Sequence, residues 1–465
     1  MSDHILFLTG KLAEKSLHKV LEAMQPAGFT YDVRQIGISV AGLMTSDLIR
    51  RRVTDIGQAT RLMVPGRCRG DLDGLSTHFG VPVVRGPTEL KDIPQFFGRA
   101  GRPVDLSRYD VLIFAEIVDA TALDVPAILA RARRYRDDGA DVIDLGCLPD
   151  TPFPHLEEAI QELRREGFQV SVDSLETADL RRGGKAGAEY LLSLKEDTLW
   201  IADEVPSVPV LIPAQPGHLD SLARAIERMR TMGRAFFADP VLGPIHFGFT
   251  ESILRYAELR RRFPDVPIMM GIGNLTELTE ADTTGVNALL FGIASELRLN
   301  AVLATEVSPH ARTAVREADL ARRIMFAARE ESSLPQGYDR GLTTTHERKP
   351  FPDSAAEIAE LARAVKDPSY RIQVSEAGIH IYNRDGHFTA TGAFDLYPHL
   401  KVEGDAGHAF YLGVELANAQ TAWELGKRYS QDEPLAWGVA VRRQAEQLDE
   451  FKAAGPTLSH ALRKS

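Results

Sequence analysis

Cysteine is nearly absent: Cys68 and Cys147 are the two in 465 residues. That excludes a disulfide framework and a cysteine-based zinc site. Basic charge is also scarce. With 54 Lys and Arg against 65 Asp and Glu, the formal charge is −11, and no basic run interrupts it. A general affinity for nucleic acid, which depends on cations displacing counterions from phosphate, is therefore not expected. Long apolar runs are lacking too. Ile5–Leu8 is far too short to cross a membrane and ends at Thr9-Gly10, and nothing reads as a signal peptide. No internal repeat, low-complexity tract, P-loop or GxGxxG spacing is found. The remaining composition, 44% apolar and 26% charged, is that of a globular chain, and a cytoplasmic enzyme of two or three domains is the expectation.

The informative stretch runs from Gly139 to Ser174. Two β-branched apolar runs, Val142–Leu145 and Val170–Val172, end in a carboxylate and a turn: Asp144 before Gly146, Asp173 before Ser174. Between them Leu156, Ile160 and Leu163 recur at helical spacing. Strand, helix, strand with polar residues at strand ends is the repeat of a parallel α/β fold, in which chemistry collects at those ends.

Residues 1–108 read as a small open parallel α/β domain, with strands at Ile5–Leu8, Tyr31–Ile36, Arg61–Val64 and Val81–Val84. Two of its turns, Thr9-Gly10-Lys11 at an expected helix start and Pro65–Gly70 with Arg67 and Arg69, are candidates to hold an anion. From Tyr109 the rhythm lengthens. Strands are expected at Val111–Ile117, Val142–Leu145, Val170–Val172, Tyr190–Leu194, Val208–Ile212, Ala235–Ala238, Pro267–Met270 and Ala288–Phe291. Helices separate most of them, and Ala301–Ala304 follows as a further apolar run. Eight strands in about 200 residues favour a (β/α)8 TIM barrel over residues 109–331, although alternation alone leaves an open sheet as the alternative. Residues 332–353 break periodicity and read as a linker or a lid. Residues 354–465 read as a small α+β domain, with a hairpin at Asn383-Arg384-Asp385-Gly386 and a long helix striped by Leu412, Leu416, Ala419 and Trp423.

The polar residues that end the barrel strands are Glu116, Asp144, Asp173, Ser193 with Lys195, Gln215, Asp239, Asn274 and the Ser308–Arg312 run. Each alone also suits a helix cap or a turn. Together they make a rim rich in carboxylate and amide, suited to a heterocycle with a 2-amino-4-oxo pyrimidine edge, whose paired N–H groups a carboxylate accepts.

Gly139–Gly146 (GADVIDLG), Ser171-Val172-Asp173-Ser174 and Ala238-Asp239-Pro240 resemble the pterin-binding TIM-barrel family of dihydropteroate synthase and the pterin-dependent methyltransferases, over about residues 109–330. The resemblance implies that Asp173 and Asp239 hold the pterin ring, with Asp144 at the pocket floor. It also departs from the synthase pattern. Leu192-Ser193 stands where the synthase has Asn-Asp, and Pro149-Asp150-Thr151-Pro152 replaces its Thr-Arg-Pro-Gly loop. Gly271–Thr276 replaces its Ser-Arg-Lys, and the Gly271-x-x-Asn274 pattern is more similar to the methyltransferases. The N-terminal domain and His408–Gly438 resemble modules that accompany synthase-like proteins of organisms using tetrahydromethanopterin.

The resemblance implies a transferase joining 6-hydroxymethyl-7,8-dihydropterin diphosphate to an arylamine, 4-(β-D-ribofuranosyl)aminobenzene 5′-phosphate, in tetrahydromethanopterin synthesis. Catalysis is expected from Asp144, Asp173 and Lys195. Pterin binding is expected from Asp173, Ser193, Gln215, Asp239, Gly271 and Asn274, and phosphate binding from Lys195, His310 and Arg312. Mg²⁺ is expected to accompany the diphosphate, and a homodimer is carried over from the family. The alternatives are a methyltransferase acting with a corrinoid-bearing partner and a non-catalytic pterin-binding subunit.

Overall fold

A computed structural model describes residues 3–99, 104–347 and 349–441. The chain falls into two compact units. One runs to Tyr109 and takes in Arg323–Tyr338; the other comprises Asp110–Arg322 and the described residues from Asp339 onward.

The first unit holds β1 (His4–Thr9), β2 (Thr30–Gln35), β3 (Arg61–Val64) and β4 (Val83–Arg85), all parallel, in the order β2-β1-β3-β4. Successive residues of β1 feed opposite cores. Leu6 and Leu8 pack with Leu62, Val64, Ile49 and Leu75, while Ile5 and Phe7 pack with Met63, Leu17, Leu21 and Phe29. A strand buried on both faces explains why Ile5–Leu8 is a continuous apolar run rather than an alternating one. The two anion-binding turns take another form. The first helix begins at Glu14, beyond the turn, and the N–H groups of Lys11 and Leu12 donate to the carbonyls of Ile38 and Ser39 at 2.8 and 3.1 Å. In the other turn, Cys68 N–H donates to Pro65 and Arg69 N–H to Met44. The amides of Lys11, Leu12, Cys68 and Arg69 are thus bonded to carbonyls of the chain itself.

The second unit contains eight parallel strands: β5 (Leu112–Ile117), β6 (Val142–Gly146), β7 (Gln169–Asp173), β8 (Tyr190–Leu194), β9 (Val208–Leu211), β10 (Phe237–Ala238), β11 (Met269–Gly271) and β12 (Ala301–Thr305). Their order is β10-β9-β8-β7-β6-β5-β12-β11. The ring closes where Ala238 bridges Ile268 and its N–H donates to the Pro267 carbonyl at 2.9 Å. This is a (β/α)8 TIM barrel. One strand expectation fails: Ala288–Phe291 lies in the helix Thr283–Glu296, and the eighth strand is the Ala301 run. Within that helix Thr283, Asn287, Leu290, Phe291 and Ala294 are buried, a 3.6-residue stripe that a four-residue window hides.

Inside the barrel, Phe114, Val142, Leu192, Val210, Met269 and Ala301 form one apolar cluster, flanked by Tyr190 and Phe237. The rings of Phe114, Tyr190 and Phe237 meet edge-on at 4.9 to 6.3 Å, so three strands plug the barrel with aromatic carbon. At the opposite end of these strands from the carboxylates, Arg322 acts as a staple. Its side chain is 1% exposed and pairs with Asp141 and Asp319, and it donates to the carbonyls of Val111 (2.7 Å) and Gly139 (2.8 Å) just before β5 and β6.

The same unit includes an antiparallel sheet of β13 (Arg371–Ser375), β14 (Gly378–Asn383) and β15 (Gly386–Ala390), joined between β14 and β15 by the expected hairpin. Ile372, Val374, Ile379 and Ile381 pack on Leu412, Leu416 and Ala419 of the helix Ala406–Leu425, with Trp423 partly buried alongside. Residues of the 332–353 stretch are tied to the chain beyond that helix. Lys427 Nζ donates to the Thr344 carbonyl at 2.5 Å, and the Gly341 carbonyl accepts from Val439 N–H at 2.9 Å. No helix among the described residues is long and apolar enough to cross a membrane.

Arg322→Ala removes the buried guanidinium that pairs with Asp141 and Asp319 and bonds the carbonyls before β5 and β6. Unfolding in urea is expected to show a loss of about 3–5 kcal/mol. A change below about 1 kcal/mol would mean that Arg322 does not hold the strand starts together.

Candidate active site at the carboxyl ends of the barrel strands

The period-two alternation that aims the apolar plug into the barrel aims the next inward residues at its mouth. Glu116 is two residues past Phe114, Asp144 two past Val142, and Asp239 two past Phe237. Asp173 is two past Ser171, and register pairs Glu116 with Asp144 and Gly146 with Asp173 across adjacent strands. Four carboxylates thus stand above an apolar floor. Asp144 is wholly buried, whereas Glu116, Asp173 and Asp239 keep an opening to the mouth.

Local structure fixes each of them. Ser171 Oγ donates to Asp144 Oδ1, and Ser193 Oγ donates to Asp173 Oδ1 at 3.0 Å. Ser193 reaches it because β8 slips register between Leu192 and Leu194, with Ser193 at φ 81. The bulge re-aims a polar side chain at the mouth. Asp239 Oδ1 accepts from Val241 N–H at 2.7 Å and from Tyr256 OH at 2.5 Å. Val241 sits at φ 65, unusual for a β-branched residue. Left-handed backbone at non-glycine residues costs about 1–3 kcal/mol each and persists where surrounding contacts enforce it; here both cases serve a site carboxylate.

Burial raises these acids. Glu116 is pushed well above the usual carboxylate range, first by desolvation and then by Asp144, Asp173 and Glu277. Asp144 rises through desolvation and Asp173, against the Ser171 hydrogen bond, and desolvation likewise lifts Asp173 against Ser193. Asp239 is raised to about 6 by desolvation, with Tyr256, Val241 and Arg255 pulling down and Asp173 pushing up. Several carboxylates raised together under an open mouth point to a candidate functional site.

With that geometry in place, likenesses to known proteins can be given. Residues 3–88 match the model of a family of unknown function, DUF6513. The chain is similar to uncharacterized protein MJ0107 of Methanocaldococcus jannaschii, 26% identical over 520 residues that span 92% of this chain and 98% of that one. Among solved structures, Yersinia pestis dihydropteroate synthase is 19% identical with a TM-score of 0.37, over 49% of this chain and 95% of that one. The 7,8-dihydropteroate synthase of Vibrio fischeri is 14% identical, TM-score 0.37, over 48% and 94%. Mycobacterium tuberculosis Rv1207 is 22% identical, TM-score 0.37, over 51% and 97%. Likeness at this level assigns no activity to the chain.

Of the residues singled out in the sequence, Asp144, Asp173, Ser193, Asp239, Gly271 and Asn274 come together at this end of the barrel. A Cβ on Gly271 would stand 4.0 Å from Asp239 Oδ2, which places this glycine beside the carboxylate. Asn274 Nδ2 donates to the Leu242 carbonyl at 2.8 Å, bracing the loop after Asp239. Lys195 follows β8, where its backbone closes a turn with Thr198. Gln215 lies exposed in the next turn, its carbonyl accepting from His218 N–H. His310 Nε2 contacts the Thr276 carbonyl at 3.0 Å, and Arg312 Nη1 donates to the Pro309 carbonyl at 3.0 Å. His310 is thus tied to the segment after β11, and Arg312 to its own loop.

Glu116 was visible as a strand-end residue, and its place in the cluster follows from the alternation Phe114-x-Glu116. Tyr256 carried no such signal, because a buried tyrosine on an amphipathic helix looks like core. Glu277 was equally silent. It accepts from Thr305 Oγ1, Val307 N–H and Ser308 N–H, shaping the loop after β12.

Asp239 can accept ligand N–H groups as the anion. Affinity for an N–H-bearing heterocycle is therefore expected to fall as pH drops through about 6. Tyr256→Phe removes a hydrogen bond to that anion, so its midpoint moves upward. Calorimetric titration across the acid-to-neutral range checks both; a flat profile, or a downward move in Tyr256→Phe, contradicts them.

Proposed function

We propose that the barrel mouth binds the amino-pyrimidine edge of a dihydropterin on Asp173 and Asp239 and works as a dihydropteroate synthase-like transferase. The observation that carries this reading is the pairing of open carboxylates above an apolar floor. Asp173 Oδ1 is fixed by Ser193 and Asp239 Oδ1 by Tyr256 and Val241, with Gly271 beside Asp239 Oδ2. A flat ring can rest on the floor while its N–H groups donate to the acids.

In the proposed reaction the arylamine nitrogen forms a C–N bond to the pterin methylene. The C–O bond to diphosphate breaks and the amine proton leaves to solvent. Positive charge that develops on the methylene is met by the anionic forms of Asp144 and Asp173. Lys195, His310 and Arg312, on loops at the same end, are the proposed phosphate contacts. Mg²⁺ supplies charge neutralisation for the leaving group when bound. The all-oxygen donor set, with Asp144 Oδ2 buried and unpartnered, fits such a hard cation. The arylamine is proposed to be 4-(β-D-ribofuranosyl)aminobenzene 5′-phosphate, within tetrahydromethanopterin synthesis. The likeness to the Methanocaldococcus jannaschii protein over 92% of the chain supports one shared layout, flanking regions included.

A second reading rests on His310 and Arg312 bonding to neighbouring carbonyls. This favours a pterin-binding subunit without turnover, or methyl transfer to a corrinoid-bearing partner beside Asn274. Incubation with the pterin diphosphate, Mg²⁺ and the arylamine phosphate separates them: diphosphate release with a new C–N product supports the transferase, and none supports the second reading. Asp173→Asn should weaken dihydropterin binding by roughly 1.5–3 kcal/mol, about ten- to hundredfold. Unchanged affinity would move the pocket elsewhere.

A further inference from the structure

Glu116, Asp144 and Asp173 come from three neighbouring strands, and one carboxylate oxygen of each lies within 4.8 Å of the others. Charges of one sign at that spacing repel by about 1 kcal/mol per pair in water and by several near a protein surface. Among the described residues, no Lys or Arg is bonded to any of the three. The partners recorded are hydroxyls, Ser171 to Asp144 and Ser193 to Asp173. A second observation is independent of the clustering. Asp144 is 0% exposed, its Oδ1 is bonded to Ser171, and its Oδ2 is buried without a partner. A buried carboxylate oxygen left unbonded costs free energy that native structures rarely leave uncompensated. Gly146 keeps room for the cluster, since a Cβ there would stand 2.6 Å from Glu116 Oε1.

We propose that Glu116, Asp144 and Asp173 form a protein-built site for a hard divalent cation, Mg²⁺ or Mn²⁺, filled without any phosphate ligand. Three oxygens and no nitrogen or sulfur suit a hard ion that keeps several waters better than the nitrogen and sulfur ligands typical of zinc. Bonds of about 2.1 Å place neighbouring octahedral ligands about 3 Å and opposite ones about 4.2 Å apart, so oxygens within 4.8 Å of one another close on the ion by side-chain rotation. One consequence rests on the pterin diphosphate reading. An ion held by the chain would present diphosphate with positive charge in addition to that of Lys195 and Arg312.

The test is titration of the full chain, freed of metal and without pterin or phosphate, by Mn²⁺ electron paramagnetic resonance, followed by displacement with Mg²⁺. The expected result is one Mn²⁺ per chain, with affinity weakened about tenfold or more in both Glu116→Gln and Asp144→Asn at unchanged melting temperature. If a variant melts early, the other decides. No Mn²⁺ bound at millimolar concentration, or wild-type affinity in a folded variant, overturns the site. Dihydropterin titration of the same samples separates the two ideas: pterin binding without Mn²⁺ binding sinks the ion site alone, and Mn²⁺ binding without pterin binding sinks the transferase reading alone.

Discussion

Four carboxylates crowded at one end of a closed barrel, with no basic side chain among the described residues ion-paired to Glu116, Asp144 or Asp173, are the constraint around which the second unit is arranged. Desolvation and mutual repulsion oppose ionisation there, as the raised Glu116, Asp144, Asp173 and Asp239 all reflect. The rest of the unit tolerates this because its stability lies elsewhere. The aromatic plug of Phe114, Tyr190 and Phe237 fills the barrel below the acids, and Arg322 ties the strand starts together. Such a division, rigid floor and reactive mouth, is how a TIM barrel separates folding from chemistry. The left-handed backbone at Ser193 and Val241 belongs to the mouth, where strain is balanced by hydrogen bonds to the acids they serve.

Much of this was legible in the residues. GADVIDLG announced a strand ending in Asp144, and the strand–helix rhythm announced a barrel, because period two and period 3.6 leave different marks on an apolar pattern. Legibility failed where a local pattern had two solutions. Ala288–Phe291 is apolar in every position, and only its place within the longer stripe from Thr283 to Ala294 tells helix from strand. The Thr9-Gly10-Lys11 turn had the composition of an anion site, but the amides of Lys11 and Leu12 bond to Ile38 and Ser39, 27 residues away in sequence, which no local reading shows. Tyr256 entered the site through a hydroxyl whose target, Asp239, is set by tertiary packing.

The basic residues mark the boundary between the two functional readings. A diphosphate needs concentrated positive charge, and this mouth concentrates negative charge. Either substrate arrives with its own cation, the chain holds one among Glu116, Asp144 and Asp173, or diphosphate is not what binds. The same acids that make a phosphate unwelcome make a proton-bearing heterocycle welcome, so pterin binding is the part of the account that the local chemistry supports on its own.

Calorimetric titration of the purified protein with 6-hydroxymethyl-7,8-dihydropterin and with its diphosphate, each with and without Mg²⁺, tests that claim most directly. The account predicts that both ligands bind, and that the diphosphate gains affinity over the alcohol when Mg²⁺ is present. Binding of neither ligand under any of these conditions would contradict it.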